Sequence, residues 1–389
     1  MKNSLRDSQK IKLHLFFTRG VSLKNWLDDG IFFREKLLYE KYLEKNLFDE
    51  VNWYTYGTED KNLEKKLKKN KLLDNNINIY QMPKFFSFPI IGNYLYSFFL
   101  PLIYKKKYST NSILKTNQMD GSWTGLIAKI LYNLPLINRC GYNLLFIEEK
   151  KKKFFFRRLV NYILVFFVFK FANINIFSNK NDRENLEKKF NLIKKKNFVI
   201  NNFVYLKKIN KKRRQKNDFV YMGRFSEEKN LFFTLMLIKK LDKKIDLYGH
   251  GPLMKKLRDY VKINQIKAQI FGKFNNNDVG KILSNYKYYI QLSKYESMPK
   301  TAIEAMYYGK VCFFSNVSGF TEISKKNFEA YFVNHKNINL AFKEISKKIK
   351  LNHKQISLNA SKRIKQYFLL DKIINKEYSI IKKFIQKTH

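Results

Sequence analysis

The sequence predicts an α/β protein with two doubly wound, Rossmann-like domains that face a cleft. Short apolar runs alternate with longer helical patterns in the first half of the 389-residue chain, and a second alternating series fills the second half. Between the two series, residues 205–217 are polar, highly charged and without periodic apolar positions, which is typical of a linker. Alternation of strand and helix indicates a parallel sheet with helical crossovers, so each series predicts one sheet.

Six apolar runs are predicted to be the strands of the first sheet. They are short, rich in β-branched and aromatic residues, and separated by longer stretches such as the helical pattern at 30–46. The runs lie at 12–18, 50–57, 77–82, 112–116, 135–142 and 173–178. We expect the first domain to span residues 1–205.

Six further runs predict a second sheet within residues 218–370, after a linker at 206–217. The runs lie at 218–224, 244–249, 268–272, 286–293, 310–315 and 329–333, with helices among them at 253–263, 277–285 and 300–308. The stretch 353–386 is helical and basic. We expect residues 371–389 to form a C-terminal helix that packs back toward the first domain.

The charge of the chain has two explanations. The net charge is +45, from 77 basic and 32 acidic residues, which would attract nucleic acid, anionic lipid or phosphorylated substrates. Only 12 of the basic residues are arginine, and Lys, Asn, Ile, Phe and Tyr, whose codons are rich in A and T, are all abundant. Codon bias is therefore the alternative explanation, and a dedicated nucleic-acid binder would favour arginine more.

The cysteine content and the apolar stretches indicate the cellular compartment of the protein and its relation to membranes. Two distant cysteines exclude a disulfide framework and a zinc motif, and the N-terminus lacks the pattern of a signal peptide, so a cytoplasmic protein is expected. The stretches 85–104 and 159–171 favour buried or interfacial helices over membrane spans. The basic-aromatic segment at 150–158 suits an anionic membrane surface, or equally a solvated turn before a core helix.

The loop after the first strand of the second half contains two cations. Ligands of doubly wound sheets bind beyond the carboxyl ends of the strands, so such loops are candidate sites. In GRFSEEKN (223–230), Arg224 and Lys229 lie between a strand and a helix, where cations and helix amides can hold a diphosphate. On a lysine-rich protein, a plain surface turn explains the same residues.

Two further loops are rich in glycine. YGHGPL (248–253) permits close backbone approach at Gly249, and His250 is explained more simply as a loop residue than as a general base. In FGKFNNND (271–278), backbone groups could contact the edge of a nucleobase.

Two acids lie eight positions apart in YESMPKTAIEAMYYGK (295–310). Pro299 suits the start of a helix and Gly309 suits its end. Helical side chains lean toward the N-terminus, so Glu304 can reach a ligand at that end, and Glu296 can approach the same ligand from the preceding loop. Carboxylates accept hydrogen bonds from sugar or ribose hydroxyls, although an acid early in a helix also stabilises the helix without any ligand.

The set of motifs resembles the retaining GT-B glycosyltransferases of family 4, whose E-x7-E motif has the spacing of these two acids. GRFSEEKN, YGHGPL, IFGKF and ESMPKTAIEAMYYG follow that family's order and approximate spacing, and SNVSGFTEI (315–323) resembles its next turn. The resemblance covers the second half of the chain and implies a GT-B fold. Ser297 departs from the glycine that is common in the family, but it is also small.

The resemblance implies a role for each matching residue. Arg224 and Lys229 match the pair that binds the donor diphosphate and stabilises the leaving nucleotide. Glu304 matches the acid that binds the donor ribose, and Glu296 matches the acid near the hydroxyls of the transferred sugar; these two cations and Glu296 are the predicted catalytic residues. The other predicted donor-binding residues in this half are Gly249, Phe271, Gly272, Met298, Pro299, Lys300 and Thr301.

The first half resembles the acceptor domain of the family less specifically. Gly20 fits the glycine loop that approaches the donor phosphates. The family's His-x-His and His-Gly positions fall in 115–125 and 135–143, which contain no histidine. Polar contacts there could come instead from Asn117, Gln118, Arg139 and Tyr142. Asp120 could face the acceptor, but it is explained more simply as a loop or N-cap acid.

The resemblance implies a retaining transfer of a hexose from a nucleotide-diphosphate sugar to a hydroxyl of a glycan or lipid-linked glycan in cell-surface polysaccharide synthesis. No metal or other cofactor is expected, because fixed cations would stabilise the leaving diphosphate and no Asp-x-Asp motif is present. No side chain is an evident nucleophile, which favours front-face displacement. The expected partners are the donor, the acceptor and an anionic membrane surface, without specific nucleic acid.

Two other functions remain open from the sequence. A nucleic-acid-binding protein would account for the charge, but no recognition motif supports it. A nucleotide-sugar epimerase shares the two-domain architecture, but its usual acid and base residues are not evident.

Overall fold

The chain divides into two compact units. The computed structural model describes residues 10–88, 90–145, 148, 155–204, 206 and 216–388. One unit consists of Met1–Ile200 with Ile374–His389, and the other of Asn201–Ile373. Of the predicted linker, 207–215 lie outside the described residues, as do 150–154 of the predicted basic-aromatic segment.

The first unit contains a parallel sheet of seven strands. Each predicted strand forms, and the strand order is β3-β2-β1-β4-β5-β6-β7 with every neighbouring pair parallel. The edge strand β7 was missed, because three residues are too few to show a period. The strands are β1 (Lys12–Phe16), β2 (Glu50–Tyr54), β3 (Ile77–Tyr80), β4 (Ser112–Thr116), β5 (Leu136–Cys140), β6 (Ile174–Phe177) and β7 (Asn197–Val199).

Helices cover both faces of this sheet. Strand order runs one way from β1 to β3 and the other way from β1 to β7, so right-handed crossovers put α1–α3 on one face and α4–α7 on the other. Ser22 caps α1 in a capping box and Asn179 caps α7. The helices are α1 (Leu23–Asp28), α2 (Phe32–Glu44), α3 (Asp60–Lys69), α4 (Ile91–Ile103), α5 (Trp123–Tyr132), α6 (Phe155–Phe171) and α7 (Lys180–Phe190).

The second unit contains a parallel sheet of six strands in the order β10-β9-β8-β11-β12-β13. The prediction of an α/β protein with two doubly wound parallel sheets is confirmed. The first strand begins at Lys216, two residues before the predicted start. The strands are β8 (Lys216–Met222), β9 (Ile245–Tyr248), β10 (Ala268–Phe271), β11 (Tyr286–Gln291), β12 (Val311–Ser315) and β13 (Tyr331–Val333).

The predicted helices of this half also form. The basic stretch 353–386 is two helices, because the chain leaves helical geometry at Phe368, whose carbonyl accepts a hydrogen bond from Val204. Among the described residues, no helix has the length and hydrophobicity needed to cross a bilayer. The helices are α8 (Leu231–Lys240), α9 (Met254–Ile263), α10 (Val279–Ser284), α11 (Lys300–Tyr307), α12 (Ser318–Ile323), α13 (Ile338–Lys348), α14 (Lys354–Tyr367) and α15 (Leu370–Thr388), which continues into the first unit.

A buried ion pair joins α15 to the sheet of the first unit. Nζ of Lys115, on β4, lies 2.7 Å from Oε1 of Glu377 and donates to the hydroxyl of Tyr42 at 3.1 Å. Lys115 is 0% exposed and Glu377 is 1% exposed. Burial opposes ionisation of Glu377, but the charges of Lys115 and Arg139 outweigh it and hold the pKa of this carboxyl below its usual value. The C-terminal residues are thus part of the core of this unit.

His14, on β1, is a buried neutral histidine whose ring is fully engaged. Its Nδ1 lies 2.8 Å from the hydroxyl of Tyr54 and its Nε2 lies 3.0 Å from Oγ of Ser112. Burial, and after it the nearby charge of Lys12, lowers the pKa of His14 from 6.5 to about 3. The pKa of His14 is lower in the folded than in the unfolded protein, so between pH 3 and 6.5 only the unfolded chain binds this proton.

The first unit is therefore expected to lose stability on acidification. The contribution of neutral His14 is complete above pH 6.5 and is lost as the pH falls toward 3. We expect the free energy of unfolding to fall by up to about 1.4 kcal/mol per pH unit in this window, and to fall less steeply in His14→Gln. Urea unfolding across the window, with the exposed-loop variant His250→Gln as control, measures this. Equal slopes in His14→Gln and the unmodified protein would contradict the assignment.

Candidate functional site

The candidate site of the second unit lies where its strand order reverses. From β8 the chain moves outward through β9 and β10, then returns to place β11 on the other side of β8. In an open parallel sheet, the loops at the carboxyl ends of the two strands beside this switch point separate and leave a crevice. Here these loops are 223–230, after β8, and 292–299, after β11. They contain the predicted cations and Glu296.

The loop after β8 is fixed by close backbone contacts with the loop after β9. The amide of Phe225 donates to the carbonyl of His250 at 2.9 Å, and the amide of Leu253 donates to the carbonyl of Phe225 at 3.1 Å. Gly249 has φ +153°, and a Cβ there would lie 1.8 Å from the carbonyl oxygen of Gly223. The predicted glycine at 249 therefore serves the packing of these two loops.

A hydrogen-bond network brings Lys229 and Glu296 together. Nζ of Lys229 donates to Oε1 of Glu296 at 2.5 Å. The same oxygen accepts from Nε2 of Gln291 at 2.6 Å and from Oγ of Ser293 at 2.8 Å. Glu296 is 7% exposed and the Lys229 side chain 17% exposed. The carboxylate is thus held in one orientation, and the ammonium group, with three donors, retains donor capacity beyond this contact.

The network continues from Gln291 to the start of α11. The hydroxyl of Tyr289, on β11, donates to Oε1 of Gln291 at 2.7 Å and lies 3.0 Å from Oγ1 of Thr301. Burial raises the pKa of Tyr289 well above its usual value, and the charges of Glu296 and Glu304 add to this effect. Tyr289 therefore stays protonated and links the loop carboxylate to the first turn of the helix.

Helix α11 begins beside this network. Its N-cap is Pro299, which supplies no side-chain hydrogen bond to the first turn. Met298, Pro299 and Glu304 are buried, whereas Lys300 and Thr301 are half-buried. Burial raises the pKa of Tyr308 to about 12, and the charges of Tyr307 and Glu304 contribute. Glu304 is thus a buried acid in the same helix that contacts the network.

The loop that contains Glu296 also packs closely against a glycine in α12. The amide of Gly319, in α12, donates to the carbonyl of Glu296 at 3.1 Å. A Cβ at Gly319 would lie 2.6 Å from that carbonyl oxygen. The side chain of Ser315 donates to the carbonyl of Ser293 at 2.6 Å. Residues of the predicted SNVSGFTEI motif therefore support the acidic loop.

Phe271 and Gly272 lie at the end of β10, beside β9. The ring of Phe271 stacks on that of Tyr248 with centroids 4.4 Å apart and an angle of 3° between the planes. The carbonyl of Gly272 accepts from the amide of Gly249 at 3.1 Å. In the described part of the chain, no heavy atom outside Gly272 and its two neighbours in sequence lies within 4 Å of a Cβ built at Gly272. Arg224 is exposed on the loop after β8, and its carbonyl accepts from the hydroxyl of Tyr221 at 2.9 Å.

The predicted residues of the first unit lie on β5 or in the loops after β1, β4 and β5. Asp120 forms a two-point ion pair with Arg19, at 2.9 Å to Nε and 3.1 Å to Nη2, and Arg19 lies 3.7 Å from the ring centroid of Tyr94. Burial raises the pKa of Asp120, although the charge of Arg19 opposes this. Oε1 of Gln118 accepts from the amide of Gly141 at 2.9 Å.

The structure also locates the remaining predicted residues of this unit. Gly20 has φ +74° in the turn after β1, the amide of Asn117 donates to the carbonyl of Phe16 at 2.9 Å, and burial raises the pKa of Tyr142. Arg139, on β5, is close enough to Lys115 and Glu377 for its charge to influence the pKa of both.

Sequence reasoning missed Gln291, Ser293 and Tyr289. They lie within or just after a strand whose apolar neighbours made it resemble an ordinary buried strand. A polar side chain at 0% or 2% exposure, as for Ser293 and Gln291, is a signal only once burial is known. Arg19 was missed because the prediction for this loop was based on the neighbouring Gly20. Within the described residues, no group of three or more His, Cys, Asp or Glu side chains is arranged to hold a metal ion.

Part of the second unit matches a known protein family. Residues 205–367 match the family Glycosyl transferases group 1. No curated protein sequence matches the chain. Sucrose-phosphate synthase from Thermosynechococcus elongatus aligns with a TM-score of 0.74 at 13% identity, over 97% of this chain and 100% of that one.

Two other solved structures are similar over a comparable extent. A single-site mutant of S. aureus TarM, in complex with fondaparinux, α-GlcNAc-glycerol and UDP, aligns with a TM-score of 0.71 at 14% identity, over 96% of this chain and 100% of that one. Anabaena HepE in complex with UDP-glucose aligns with a TM-score of 0.70 at 14% identity, over 97% and 100%. At these identities the structures show the fold, which is that of GT-B glycosyltransferases.

Proposed function

We propose that this chain, which the group 1 domain and the GT-B fold support as a glycosyltransferase, moves a hexose from a nucleotide-diphosphate sugar to a hydroxyl of a glycan or lipid-linked glycan. The observation that carries the proposal is the contact of Lys229 with Glu296 at the switch point of the second sheet. Crevices of this kind bind nucleotides, and in the proposal the cation there binds the diphosphate.

The chemistry follows from where charge develops. When the bond between the sugar and the diphosphate breaks, negative charge grows on the leaving oxygens. Among the described residues, one N–H donor of Lys229 holds Glu296, and the proposal assigns the other two to these oxygens. The exposed Arg224 on the same loop adds a second cation. The first amides of α11 contribute the positive end of a helix. Fixed cations thus supply the stabilisation, so the proposed reaction requires no divalent metal.

The donor's other groups are assigned by residue type and position. In the proposal, Glu304 binds the ribose hydroxyls, and Glu296 accepts a hydrogen bond from a hydroxyl of the transferred sugar. The backbone at Phe271 and Gly272, which is open around Gly272, contacts the base. Uridine diphosphate is the first nucleotide to test, because the similar structures contain UDP and UDP-glucose.

The stereochemistry and the acceptor belong to the same proposal. Oε1 of Glu296 accepts from three donors, one of which is the ammonium group of Lys229, and this makes the oxygen a poor nucleophile. We therefore propose retention by front-face displacement. We propose an acceptor at the inner face of the cytoplasmic membrane, as part of cell-surface polysaccharide synthesis. The acceptor-side residues Asn117, Gln118, Asp120 and Tyr142, and Gly20 as a donor contact, stay predictions.

A thermal-shift screen with nucleotide diphosphates and their sugars tests the donor site. At about a hundred times Kd, we expect the correct nucleotide to raise the Tm of the second unit by about 5 °C or more. The shift should vanish in Arg224→Ala and Lys229→Ala and persist in Lys255→Ala, a change of an exposed lysine on α9. A shift with guanosine or adenosine nucleotides alone would correct the base, and no shift with any nucleotide would contradict the proposal.

A further inference from the structure

One face of the first unit presents an apolar surface on two neighbouring helices. We infer that this surface, the outward sides of α4 and α6 with the α5 residues between them, docks on an anionic lipid bilayer; it is called the α4–α6 face below. The inference rests on the proposed function only in naming the membrane of a lipid-linked acceptor as the partner.

The outward side of α4 is entirely apolar. Its exposed residues recur at the spacing of one helical stripe, and their exposed fractions lie between 36% and 67%. The opposite side is buried and contains Tyr96 and Leu100. A helix on a water-facing surface normally has this pattern reversed, with polar residues outward. The stripe consists of Ile91, Leu95, Phe98, Phe99, Leu102 and Ile103.

The outward side of α6 repeats the pattern. Exposed apolar residues recur every four positions along the helix, with exposed fractions between 43% and 78%. The opposite side packs Val165 and Phe169 into the core. The exposed set is Phe155, Phe156, Leu159, Ile163, Phe167 and Phe171.

The two stripes belong to one surface. Both helices lie on the same side of the sheet by the handedness of their crossovers, and α5 packs against each of them. The hydroxyl of Tyr94, on α4, reaches Oδ1 of Asn161, on α6, at 3.5 Å. On α5, Ile130 and Leu131 are also exposed. Contiguous apolar surface of this extent is rare on monomers and marks a site of contact with a protein or membrane.

The charges of the surface favour an anionic bilayer. None of α4, α5 and α6 contains an aspartate or a glutamate. Lysines follow the end of α4 at 105–107, where all three are exposed, and Lys170 is exposed at the end of α6. Basic residues beside apolar side chains suit a lipid headgroup layer over an acyl interior. A second copy of the chain would instead bring the same positive charge against itself.

The helices are suited to lying in the interface. No helix among the described residues can cross a bilayer. An apolar stripe on a partly buried helix can insert below the headgroups while its inner side remains on the protein core. The α4–α6 face therefore anchors the first unit to a membrane from one side.

Flotation with vesicles of equal parts phosphatidylcholine and phosphatidylglycerol tests the inference. We expect binding at physiological salt, and a roughly hundredfold loss in the variant Ile91→Gln/Leu95→Gln/Leu102→Gln, because three partly exposed aliphatic side chains no longer leave water. The matched control is Ile263→Gln/Leu340→Gln/Leu358→Gln, which changes exposed aliphatic residues of the second unit and should bind as the unmodified protein does.

Two further measurements keep the test decisive. Changing Lys105, Lys106 and Lys107 to Gln should weaken binding about tenfold or more at low salt, and little at high salt. The nucleotide-induced thermal shift should be the same in all variants, so a failure of the donor site is seen separately from a failure of this surface. No vesicle binding, equal loss in the control, or a stable dimer by sedimentation that the α4 variant dissociates would each overturn the inference.

Discussion

Replacing Lys229 with methionine is expected to lower the rate of sugar transfer about a thousandfold, with a smaller change in the KM for the donor. The loss follows from removing a cation that stabilises charge only as the diphosphate leaves. In the structure this ammonium group is fixed by Glu296, which is itself held by Gln291 and Ser293. A cation that is oriented before the reaction needs no reorganisation when charge develops. Initial-rate kinetics with the donor found in the thermal-shift screen measure the effect.

A second variant separates loss of the cation from the damage of leaving a carboxylate unpaired. Lys229→Met leaves the nearly buried Glu296 without its positive partner. Glu296→Gln alone measures the loss that comes from the carboxylate, because Glu296 is itself a predicted catalytic residue. We expect Lys229→Met/Glu296→Gln to be far slower than Glu296→Gln alone, because the double variant also lacks the cation. Equal rates in these two variants would assign the role of Lys229 to holding Glu296 instead.

Replacing Lys115 with methionine is expected to destabilise the first unit by about 3–5 kcal/mol. The change leaves the carboxyl group of Glu377 buried and without its partner at 2.7 Å. It also removes the donor that reaches the hydroxyl of Tyr42. Because Glu377 lies in α15, the expected first consequence is loss of the C-terminal residues from the core. Urea unfolding gives the free energy, and hydrogen exchange of residues 374–388 locates the opening.

The double variant Lys115→Met/Glu377→Leu shows whether lost charge pairing or lost packing causes the instability. Replacing both charges with apolar groups of similar size is close to neutral in other buried pairs, so most of the stability should return. Lys180→Met, in an exposed pair with Glu184, is the matched control and should leave the unfolding midpoint unchanged. A double variant as unstable as Lys115→Met would show that α15 depends on the lysine for packing rather than for charge.

The strands could be predicted well, because strands buried on both faces of a parallel sheet are apolar runs. All six predicted runs of each half form strands, and the one strand missed, β7, has three residues at an edge. Helix positions followed from the segments between these runs. The orientation of the apolar stretch 85–104 was harder to predict. Both sides of α4 are apolar, so no periodic pattern in the sequence could show which side is buried.

The candidate site was predictable in part. Glycines, cations and acids at the ends of strands stand out in sequence, and the structure brings Lys229 and Glu296 into contact. Gln291 did not stand out, because a single glutamine inside an apolar strand has many explanations. Its partners on both sides became evident only when Tyr289 and Glu296 were placed around it.

The sequence by itself determined the type and order of the elements and the position of the candidate loops, since both depend on residue patterns within one segment. Tertiary structure alone decided which side of α4 faces water and that Lys115 meets Glu377, 262 positions later in the chain. The reason is that periodicity reports one segment at a time, whereas burial and charge pairing depend on which segments the sheet order places side by side.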